Sequence, residues 1–299
     1  MKIGQLLKEK RQIFSFEFFP PKTDEGENRL FETIENLREL GPSFVSVTYG
    51  TGGSTRDKTV GWVTRIKKEL GIEAMAHITC TGTNLENLRN ILNRLRDNGI
   101  ENVLALRGDK PKEAEAGTPS PQCFAHTNEL IEFVRSRYDF CIGAAAFPEG
   151  HTESPSLEVD TKYLKLKASA GTDFFITQLF FDNRLYFALL DRAAQAGVER
   201  PIIPGIMPIT SADQVERFTS LCGAAIPQDL RDRLHGIKDD ADAVMELGIE
   251  HATRQCRELL LKGAPGIHFY TLNRSSATRT VLKRLKTPFK DPMISRNKD

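Results

Sequence analysis

Short apolar segments alternate with amphipathic segments along almost the whole chain. Eight segments are rich in Ile, Val, Phe, Leu and Ala, which is typical of strands buried on both faces. They span residues 12–18, 44–49, 73–79, 101–107, 140–146, 173–179, 201–206 and 266–271. Apolar residues at helical spacing follow them and predict helices over residues 25–40, 57–70, 84–98, 125–137, 157–170, 183–196, 211–221, 227–235, 239–262 and 275–285. Strands and helices that alternate in this way predict an α/β fold with a parallel sheet.

Helix-ending signals agree with this division of the chain. A glycine follows the predicted helix at Gly41, Gly71, Gly99, Gly171 and Gly197, and Asn84 is a suitable N-cap. Eight strand–helix units match a closed (β/α)8 TIM barrel, and we expect residues 1–299 to form one domain of this kind. The alternative is a doubly wound open sheet, which would carry a glycine-rich fingerprint after its first strand. Two prolines, at 20–21, stand there instead.

Composition and charge exclude several classes of protein. The chain has 299 residues, of which 39% are hydrophobic and 27% charged, with a formal net charge of +1. This balance is typical of a globular protein and gives no reason to expect a nucleic-acid or membrane partner. No apolar run reaches the ~18 residues of a membrane span, and the first twelve residues lack a signal sequence. Five widely spaced cysteines without a C-x-x-C pair fit a reducing cytoplasm better than a disulfide or zinc framework.

Most predicted strands end in, or are followed by, polar residues, at the ends that a parallel barrel brings together. The residues at these ends are Glu17, Thr48, His77, Arg107, Gly108, Asp109, Phe147, His151, Gln178, Gln214, Asn273 and Arg274. Active sites of TIM barrels lie at this carboxyl-terminal face. A ring of polar groups around an apolar opening predicts a site for a flat, mostly apolar ligand with a few oriented polar edges.

Two carboxylates in this set suggest chemistry. Glu17 lies among four phenylalanines, so we expect desolvation to raise its pKa toward a value suited to a general acid. The alternative is a carboxylate paired with a buried Arg or Lys. Asp109 follows Arg107 and Gly108, where glycine allows close backbone approach to a ligand and arginine can hold a phosphate or carboxylate. An ordinary turn would explain the same three residues.

The histidines and the glycine-rich segment are weaker signals of function than the two carboxylates. His77 and His151 could join Glu17 and Asp109 around a metal, but their spacing fits no metal motif and we expect none. Such histidines more often donate a hydrogen bond to a ligand or are satisfied within the core. The segment 50–55 (GTGGST) is neither a dinucleotide fingerprint nor a Walker motif, so it gives only a weak phosphate-binding signal.

Six motifs in consistent order resemble one enzyme family. They are SFEFFPP at 15–21, VSVTYG at 45–50, LRGD at 106–109, ITQLFFD at 176–182, PGIMP at 204–208 and HFYTLNR at 268–274. Together they closely resemble the methylenetetrahydrofolate reductases of the bacterial type. The resemblance runs from about residue 12 to residue 275.

The resemblance implies a (β/α)8 barrel that holds FAD at its carboxyl-terminal mouth. NADH or NADPH would reduce the flavin and leave, and 5,10-methylenetetrahydrofolate would then bind in the same place and be reduced to 5-methyltetrahydrofolate. This ping-pong hydride transfer would feed methyl groups to methionine synthesis. A homo-oligomer also follows from the resemblance, and NADH is the donor that we expect.

The resemblance also implies roles for individual residues. Glu17 matches the acid that protonates the folate N10, and Asp109 matches the aspartate beside the flavin and the pterin. Substrate-binding positions are Gln178, Gln214, Phe218 and Arg274. FAD-binding positions are Thr48, Tyr49, His77, Arg107, Gly108, Asp109, Ala125, Phe147, His151, Asp160 and Lys167.

Three positions depart from the family pattern, and two other functions stay open. Phe147 stands where a tyrosine is common, and Tyr163 and Leu166 replace polar groups that contact FAD in some members, so flavin affinity could be lower. A barrel glycosidase could use Glu17 and Asp109 as its carboxylate pair. A non-catalytic folate- or flavin-binding module would bind ligand without turnover. A glycosidase would be colourless, whereas the reductase would show flavin absorbance. A binding module would still bind its ligand after Glu17→Gln and would have no turnover to lose.

Overall fold

The computed structural model describes residues 1–9, 12–21, 23–49, 53–108 and 122–286, and the side chains from 58 onward in the third helix. Its strands are β1 (Ile13–Phe18), β2 (Phe44–Val47), β3 (Ala74–Thr79), β4 (Asn102–Leu106), β5 (Cys141–Ala146), β6 (Phe174–Thr177), β7 (Ile202–Ile203), β8 (Gly205–Ile206) and β9 (Gly266–Tyr270). They form one sheet in the order β7-β6-β5-β4-β3-β2-β1-β9-β8, and their pairings are parallel. The sequence-based prediction of a parallel TIM-type barrel is confirmed.

The sheet closes through the seventh predicted strand, which is divided in two. β7 pairs with β6, whereas β8 pairs with β9, so this segment joins the two ends of the sheet. Pro204 separates the two pieces because proline has no N–H to donate to a ladder. Its carbonyl instead accepts a hydrogen bond from His268 N at 2.9 Å, and Gly205 N donates to Thr177 Oγ1 at 2.9 Å. The eight predicted strands therefore appear as nine shorter ones.

Helices cover the outside of the barrel. They are α1 (Ile3–Glu9), α2 (Asp24–Arg38), α3 (Gly53–Glu69), α4 (Leu85–Asp97), α5 (Thr127–Arg137), α6 (Leu157–Ser169), α7 (Asn183–Gln195), α8 (Ala212–Cys222), α9 (Gln228–Gly236), α10 (Ala241–Leu261) and α11 (Ser276–Lys286). Every predicted helix is confirmed, and Asn84 caps α4 by accepting from Asn87 N at 2.8 Å. None of the helices in the described ranges is both long and apolar enough to cross a membrane.

Helix α1 was not predicted, and it closes the floor of the barrel, the end opposite the mouth. Its Ile3 is fully buried in an apolar cluster with interior side chains of the strands. Ile3 N donates to Asn102 Oδ1 at 2.8 Å, and Gly4 N donates to Cys141 Sγ at 3.2 Å. The helix is seven residues long, and its stability depends on these tertiary contacts, which its own sequence pattern does not reveal.

The barrel interior changes from apolar to polar toward the mouth. The floor cluster is apolar and contains Ile3, Ile13, Phe44, Met75, Leu104, Cys141, Phe174, Ile176 and Ile203. Alternation along β1 then places Ser15 and Glu17 on the same inward face as Ile13, one and two steps closer to the mouth. Parallel register sets Ser46 beside Glu17 and His268 beside Ser15. A buried polar cluster therefore lies directly under the mouth.

Candidate functional site

Glu17 is the centre of the buried polar cluster. Its side chain is only 9% exposed, and one carboxylate oxygen, Oε2, lies 3.4 Å from His77 Nε2 and 3.3 Å from His268 Nε2. The sequence left open a buried Arg or Lys as its partner, but the two groups at Glu17 are imidazoles. An imidazole carries charge only when protonated, so this carboxylate has partners whose charge can change.

The pKa of Glu17 is lower than its ordinary value, so the predicted rise is wrong. Burial raises the pKa as expected, but His77 and His268 together outweigh the burial. Burial also lowers the pKa of His77 to about 4, and Glu17 opposes this only in part. His77 is therefore neutral at neutral pH. Glu17 is ionised at neutral pH, and the hydrogen bond between His268 Nε2 and its Oε2, at 3.3 Å, helps to hold the carboxylate.

His268 links Glu17 to Ser15, and sequence reasoning missed its role. The ring is fully buried and stacks on Phe44 with centroids 6.0 Å apart. Ser15 Oγ lies 2.7 Å from its Nδ1. With an ionised carboxylate at Nε2, that nitrogen donates, and Nδ1 accepts from the Ser15 hydroxyl. A signal was present in the sequence, because alternating His268 and Tyr270 places two polar rings on one face of β9.

Tyr270 extends the cluster across the barrel to β6. Its ring meets His268 edge-on with centroids 5.4 Å apart, and its hydroxyl donates to Thr177 O at 2.6 Å. A Cβ at Gly205 would lie 2.6 Å from the Tyr270 ring and 2.4 Å from Thr177 O, so only glycine leaves room for this contact. Gln178, which follows Thr177, is thereby brought to the same mouth as Glu17.

Arg107 and Gly108 leave β4 toward the mouth. The Arg107 guanidinium makes two hydrogen bonds to Glu153, with nitrogen–oxygen distances of 2.6 and 2.9 Å. Gly108 has φ +86°, which favours glycine, and a Cβ there would lie at a tight 3.2 Å from Thr79 Cβ. The sequence did not identify Glu153. Asp109 lies outside the described residues, and its role stays a prediction.

A second group of predicted residues surrounds α6. Lys167 is buried, and its Nζ lies 5.4 Å from the centroid of the Phe147 ring. Burial lowers the pKa of Lys167 to about 8, although Asp160 opposes the change. His151 packs edge-on against Phe147 at 4.9 Å, and its backbone N–H donates to Asp160 at 3.2 Å. Burial and then the charge of Arg107 lower the pKa of His151, which connects this group to the end of β4.

One predicted substrate residue, Gln178, lies at a small cleft between three loops. Gln178 and Phe147 both line it, together with Cys222 at the end of α8. Glu149, also in its wall, accepts from Ala225 N with both carboxylate oxygens at 3.1 Å, which ties the end of α8 to the loop after β5. This tie matters because α8 carries Gln214 and Phe218.

Gln214 and Phe218 lie on successive turns of α8. Gln214 accepts from Thr210 Oγ1 at 3.3 Å in the first turn, and Phe218 packs against the apolar cluster below the helix. Both side chains are half-buried. Arg274 is exposed in the turn that follows β9, four residues past the end of the strand, a position that leaves its guanidinium available to an anionic group.

Three other predicted positions lie at strand and helix ends. Thr48 N donates to Phe18 O at 2.9 Å, and Tyr49 packs partly buried against the main core. Ala125 is exposed before α5, and its N–H donates to Glu129 at 2.8 Å. The departing residues Tyr163 and Leu166 are 38% and 48% exposed on α6. Tyr163 rests on His126 with ring centroids 5.3 Å apart.

The donor set around the mouth fits a dinucleotide with a flat ring system. Arg107, His151 and Lys167 carry nitrogen donors of the kind that a pyrophosphate would need, and Phe147 has an aromatic face of the kind that a flat ring would contact. Leu166 is 48% exposed on α6, and its side chain has no group that could donate to a phosphate. Within the described part of the chain, no group of three or more His, Cys, Asp or Glu is placed to hold a metal ion.

Comparison with known proteins identifies the family. A sequence profile described as methylenetetrahydrofolate reductase matches residues 2–286. The chain belongs to the methylenetetrahydrofolate reductase family. The 5,10-methylenetetrahydrofolate reductase of Escherichia coli (strain K12) is 38% identical over 271 residues, which cover 91% of this chain and 90% of that protein. The resemblance read from the six motifs is confirmed.

Longer members of the methylenetetrahydrofolate reductase family match over part of their length. Methylenetetrahydrofolate reductase 1 of Schizosaccharomyces pombe is 38% identical over 91% of this chain and 45% of its own length. Methylenetetrahydrofolate reductase (NADH) 1 of Arabidopsis thaliana is 38% identical over 95% of this chain and 50% of its own length. The chain thus spans about half the length of these relatives.

A solved structure supports the fold independently. It is an uncharacterized protein from Clostridium thermocellum that binds two copies of 5-methyl-5,6,7,8-tetrahydrofolic acid. Its TM-score is 0.64, its sequence identity is 16%, and the match covers 96% of this chain and 98% of that one. At this identity, the likeness concerns the fold alone.

Proposed function

We propose that this protein reduces 5,10-methylenetetrahydrofolate to 5-methyltetrahydrofolate with NADH as donor and FAD as bound cofactor. The observation that carries this proposal is the buried carboxylate of Glu17, which lies within 3.4 Å of His77 and His268 under a mouth that is lined by the family's motifs. Membership of the family supports the reaction, and the word NADH in the name of the Arabidopsis relative supports the donor.

The cofactor would lie between the ends of β4 and β5 and the start of α6. Arg107, His151 and Lys167 would hold its phosphates, and Phe147 would contact its ring system. When bound, FAD supplies the hydride carrier between nicotinamide and folate. A bound pyrophosphate would also favour the charged form of Lys167, whose pKa burial lowers to about 8 in the ligand-free protein.

Glu17 would deliver the proton that opens the five-membered ring of the substrate at N10. In the ligand-free protein its pKa lies below the ordinary value, so it is ionised at neutral pH. A flat ligand that covers the mouth would exclude water and raise this pKa, so that Glu17 would take up a proton from solvent as the ligand binds. His268 would hold the carboxyl in position throughout, since Ser15 fixes the orientation of its ring.

The other predicted residues would bind the folate at its two ends. Gln178 leaves β6 beside the cleft and would contact the pterin, whereas the exposed Arg274 would pair with a carboxylate of the glutamate tail. Gln214 and Phe218, on α8, would form the remaining wall. The reduced nicotinamide needs no acid, so it would use the apolar part of the same mouth in turn. Asp109 would lie next to the ring of the cofactor.

Glu17→Gln tests the assignment of the acid. Because a positioned proton donor contributes a factor of ~10²–10⁴ in rate, we expect methylenetetrahydrofolate reduction to fall by about that factor. We expect NADH-driven reduction of menadione, a quinone acceptor, to stay within about twofold, because no proton donor is needed there. The two half-reactions are the reduction of the flavin by NADH and its reoxidation by methylenetetrahydrofolate. Anaerobic stopped-flow absorbance of the purified protein measures each of them separately.

Glu69→Gln is a matched control, because it makes the same chemical change at a side chain that is 57% exposed on α3. It should leave both half-reactions unchanged. Equal losses in both half-reactions of Glu17→Gln would remove Glu17 from the role of folate acid. A purified protein without flavin absorbance, or one that binds flavin and folate without turnover, would contradict the proposed reaction itself.

A further inference from the structure

The turn after β9 holds two residues in a conformation that they rarely adopt. Leu272 has φ +51° and Asn273 has φ +58°, both in the left-handed region. Asparagine tolerates this region better than most residues, but leucine does so rarely. Such a turn persists where its surroundings determine it, and strained turns of this kind concentrate at functional sites.

The side chain of Asn273 binds the chain beyond β1 in both directions. Its Oδ1 accepts from Phe19 N at 2.8 Å, and its Nδ2 donates to Phe19 O at 2.9 Å. Phe19 lies one residue past the end of β1 and is 38% exposed, so no strand of the sheet pairs with it. The Asn273 amide thus makes the two hydrogen bonds that a neighbouring strand would otherwise make.

Thr271 adds a second tie between the same two segments. Its Oγ1 donates to Glu17 O at 2.6 Å and accepts from Asn273 N at 3.3 Å. The backbone of Glu17 is therefore held by Thr271, and the residue two positions later is held by Asn273. Arg274 follows directly, and its N–H donates to Thr271 O at 2.9 Å.

We propose that Asn273 is a positioning residue that sets the distance between the carboxyl of Glu17 and the guanidinium of Arg274. This inference rests on the proposed function, in which these two groups act on opposite ends of one folate. A folate substrate needs both at a fixed separation, whereas the nicotinamide needs neither. Because small displacements of a reacting group are costly in rate, Asn273 should matter for the folate and not for the nicotinamide.

Asn273→Gly isolates the amide, because glycine adopts a left-handed φ without strain and so keeps the turn. We expect kcat/KM for methylenetetrahydrofolate to fall by about 10-fold or more, through both kcat and KM, since a displacement of ~1 Å can cost 10²-fold. NADH-driven menadione reduction should stay within about twofold. Hydrogen exchange of the Phe19 amide should become faster, because its acceptor is gone.

Two further variants complete the test. Asn98→Gly makes the same change at an asparagine whose Nδ2 donates to Arg94 O at 2.9 Å, just past the end of α4, and should alter neither half-reaction. Asn273→Asp keeps an acceptor for Phe19 N but loses the donor to Phe19 O, so its folate defect should lie between those of wild type and Asn273→Gly. If Asn273→Gly does not fold, Asn273→Asp provides the test in its place.

Separate outcomes distinguish this inference from the proposed function. Equal losses in both half-reactions, or faster Phe19 exchange with an unchanged folate reaction, would overturn the positioning role. An unchanged exchange rate at Phe19 in Asn273→Gly would show that the Asn273 side chain does not hold the Phe19 backbone. A wild-type protein that reduces menadione but never methylenetetrahydrofolate would contradict the proposed function, and Phe19 exchange would still report whether Asn273 holds the turn.

Discussion

Lys167 is a cation that the fold buries next to the mouth without a full countercharge. Its residue is 8% exposed, and burial lowers its pKa to about 8 despite Asp160. The nearest groups are the carbonyl of Ala145, to which Nζ donates, and the rings of Phe147 and Phe175. A buried charge of this kind destabilises the fold at neutral pH and suits an anionic ligand.

The stability of the protein should therefore depend on the titration of Lys167. The unfolded pKa of about 10.5 exceeds the folded value of about 8, so the unfolded state binds more protons between these limits. Stability relative to Lys167→Met should rise as pH increases from about 8 to 10.5, by roughly 3 kcal/mol in total. Below pH 8 the difference between the two proteins should be constant.

Urea denaturation of both ligand-free proteins at several pH values checks this prediction. Comparison with Lys167→Met removes the titration of every other lysine and tyrosine, which both proteins share. Parallel stability curves across the whole range would show that Lys167 keeps its ordinary pKa. In that case the buried ammonium would have a countercharge that the described contacts do not explain.

Two helical glycines have opposite environments, although the sequence makes them look alike. A Cβ at Gly248 in α10 would lie 2.0 Å from Ile209 O, because the helix packs on that backbone. A Cβ at Gly61 in α3 would meet nothing within 4 Å. Helix propensity favours alanine equally at both positions, so only packing separates them.

Gly248→Ala and Gly61→Ala should therefore change stability in opposite directions. We expect Gly61→Ala to stabilise the protein by about 0.5–1 kcal/mol, as at an exposed helical site. Gly248→Ala should destabilise it by about 1–3 kcal/mol, because α10 must move away from the segment after β8. Thermal unfolding followed by circular dichroism measures both. A stabilised Gly248→Ala protein would mean that α10 is not held against Ile209.

Element boundaries show what a sequence pattern can and cannot predict. The strand before Pro204 is visible as an apolar run, but its division into β7 and β8 depends on which neighbour each half meets. Helix α1 is short and depends on Asn102, which lies 99 residues away. Such long-range contacts leave no local periodicity, so the helix could not be predicted from residues 1–12.

The burial of Glu17 and His77 was predictable, because each lies on a single apolar strand. Their roles stay predictions, as does the role of Lys167, which came from the family motifs alone. His268 was missed as a partner of Glu17 because their contact depends on the register of β1 and β9, 251 residues apart. The direction of the Glu17 pKa was wrong for the same reason. Desolvation can be read from neighbouring phenylalanines, but the opposing imidazoles come from distant strands.

The whole barrel separates stability at its floor from chemistry at its mouth. At the floor, Asn102 is fully buried, accepts from Ile3 N at 2.8 Å and donates to Glu73 Oε1 at 3.0 Å. At the mouth, Asn273 makes an equivalent pair of contacts with Phe19. An asparagine side chain thus joins separate segments of the chain at each end of the barrel. Loss of Asn102 should affect stability, whereas loss of Asn273 should affect the reaction.

Asn102→Ala should lower stability without changing the reaction. The substitution leaves the buried N–H of Ile3 without its acceptor and opens a cavity, so we expect a loss of about 3 kcal/mol. In a protein of this size, the loss corresponds to a fall of roughly 5 °C in Tm. Both half-reactions at 25 °C should stay within about twofold, because the mouth keeps its geometry. Asn90→Ala, an exposed change on α4, should alter neither property. A fall in folate turnover at unchanged Tm would show that the floor and the mouth are coupled through the barrel, against the separation argued from their contacts.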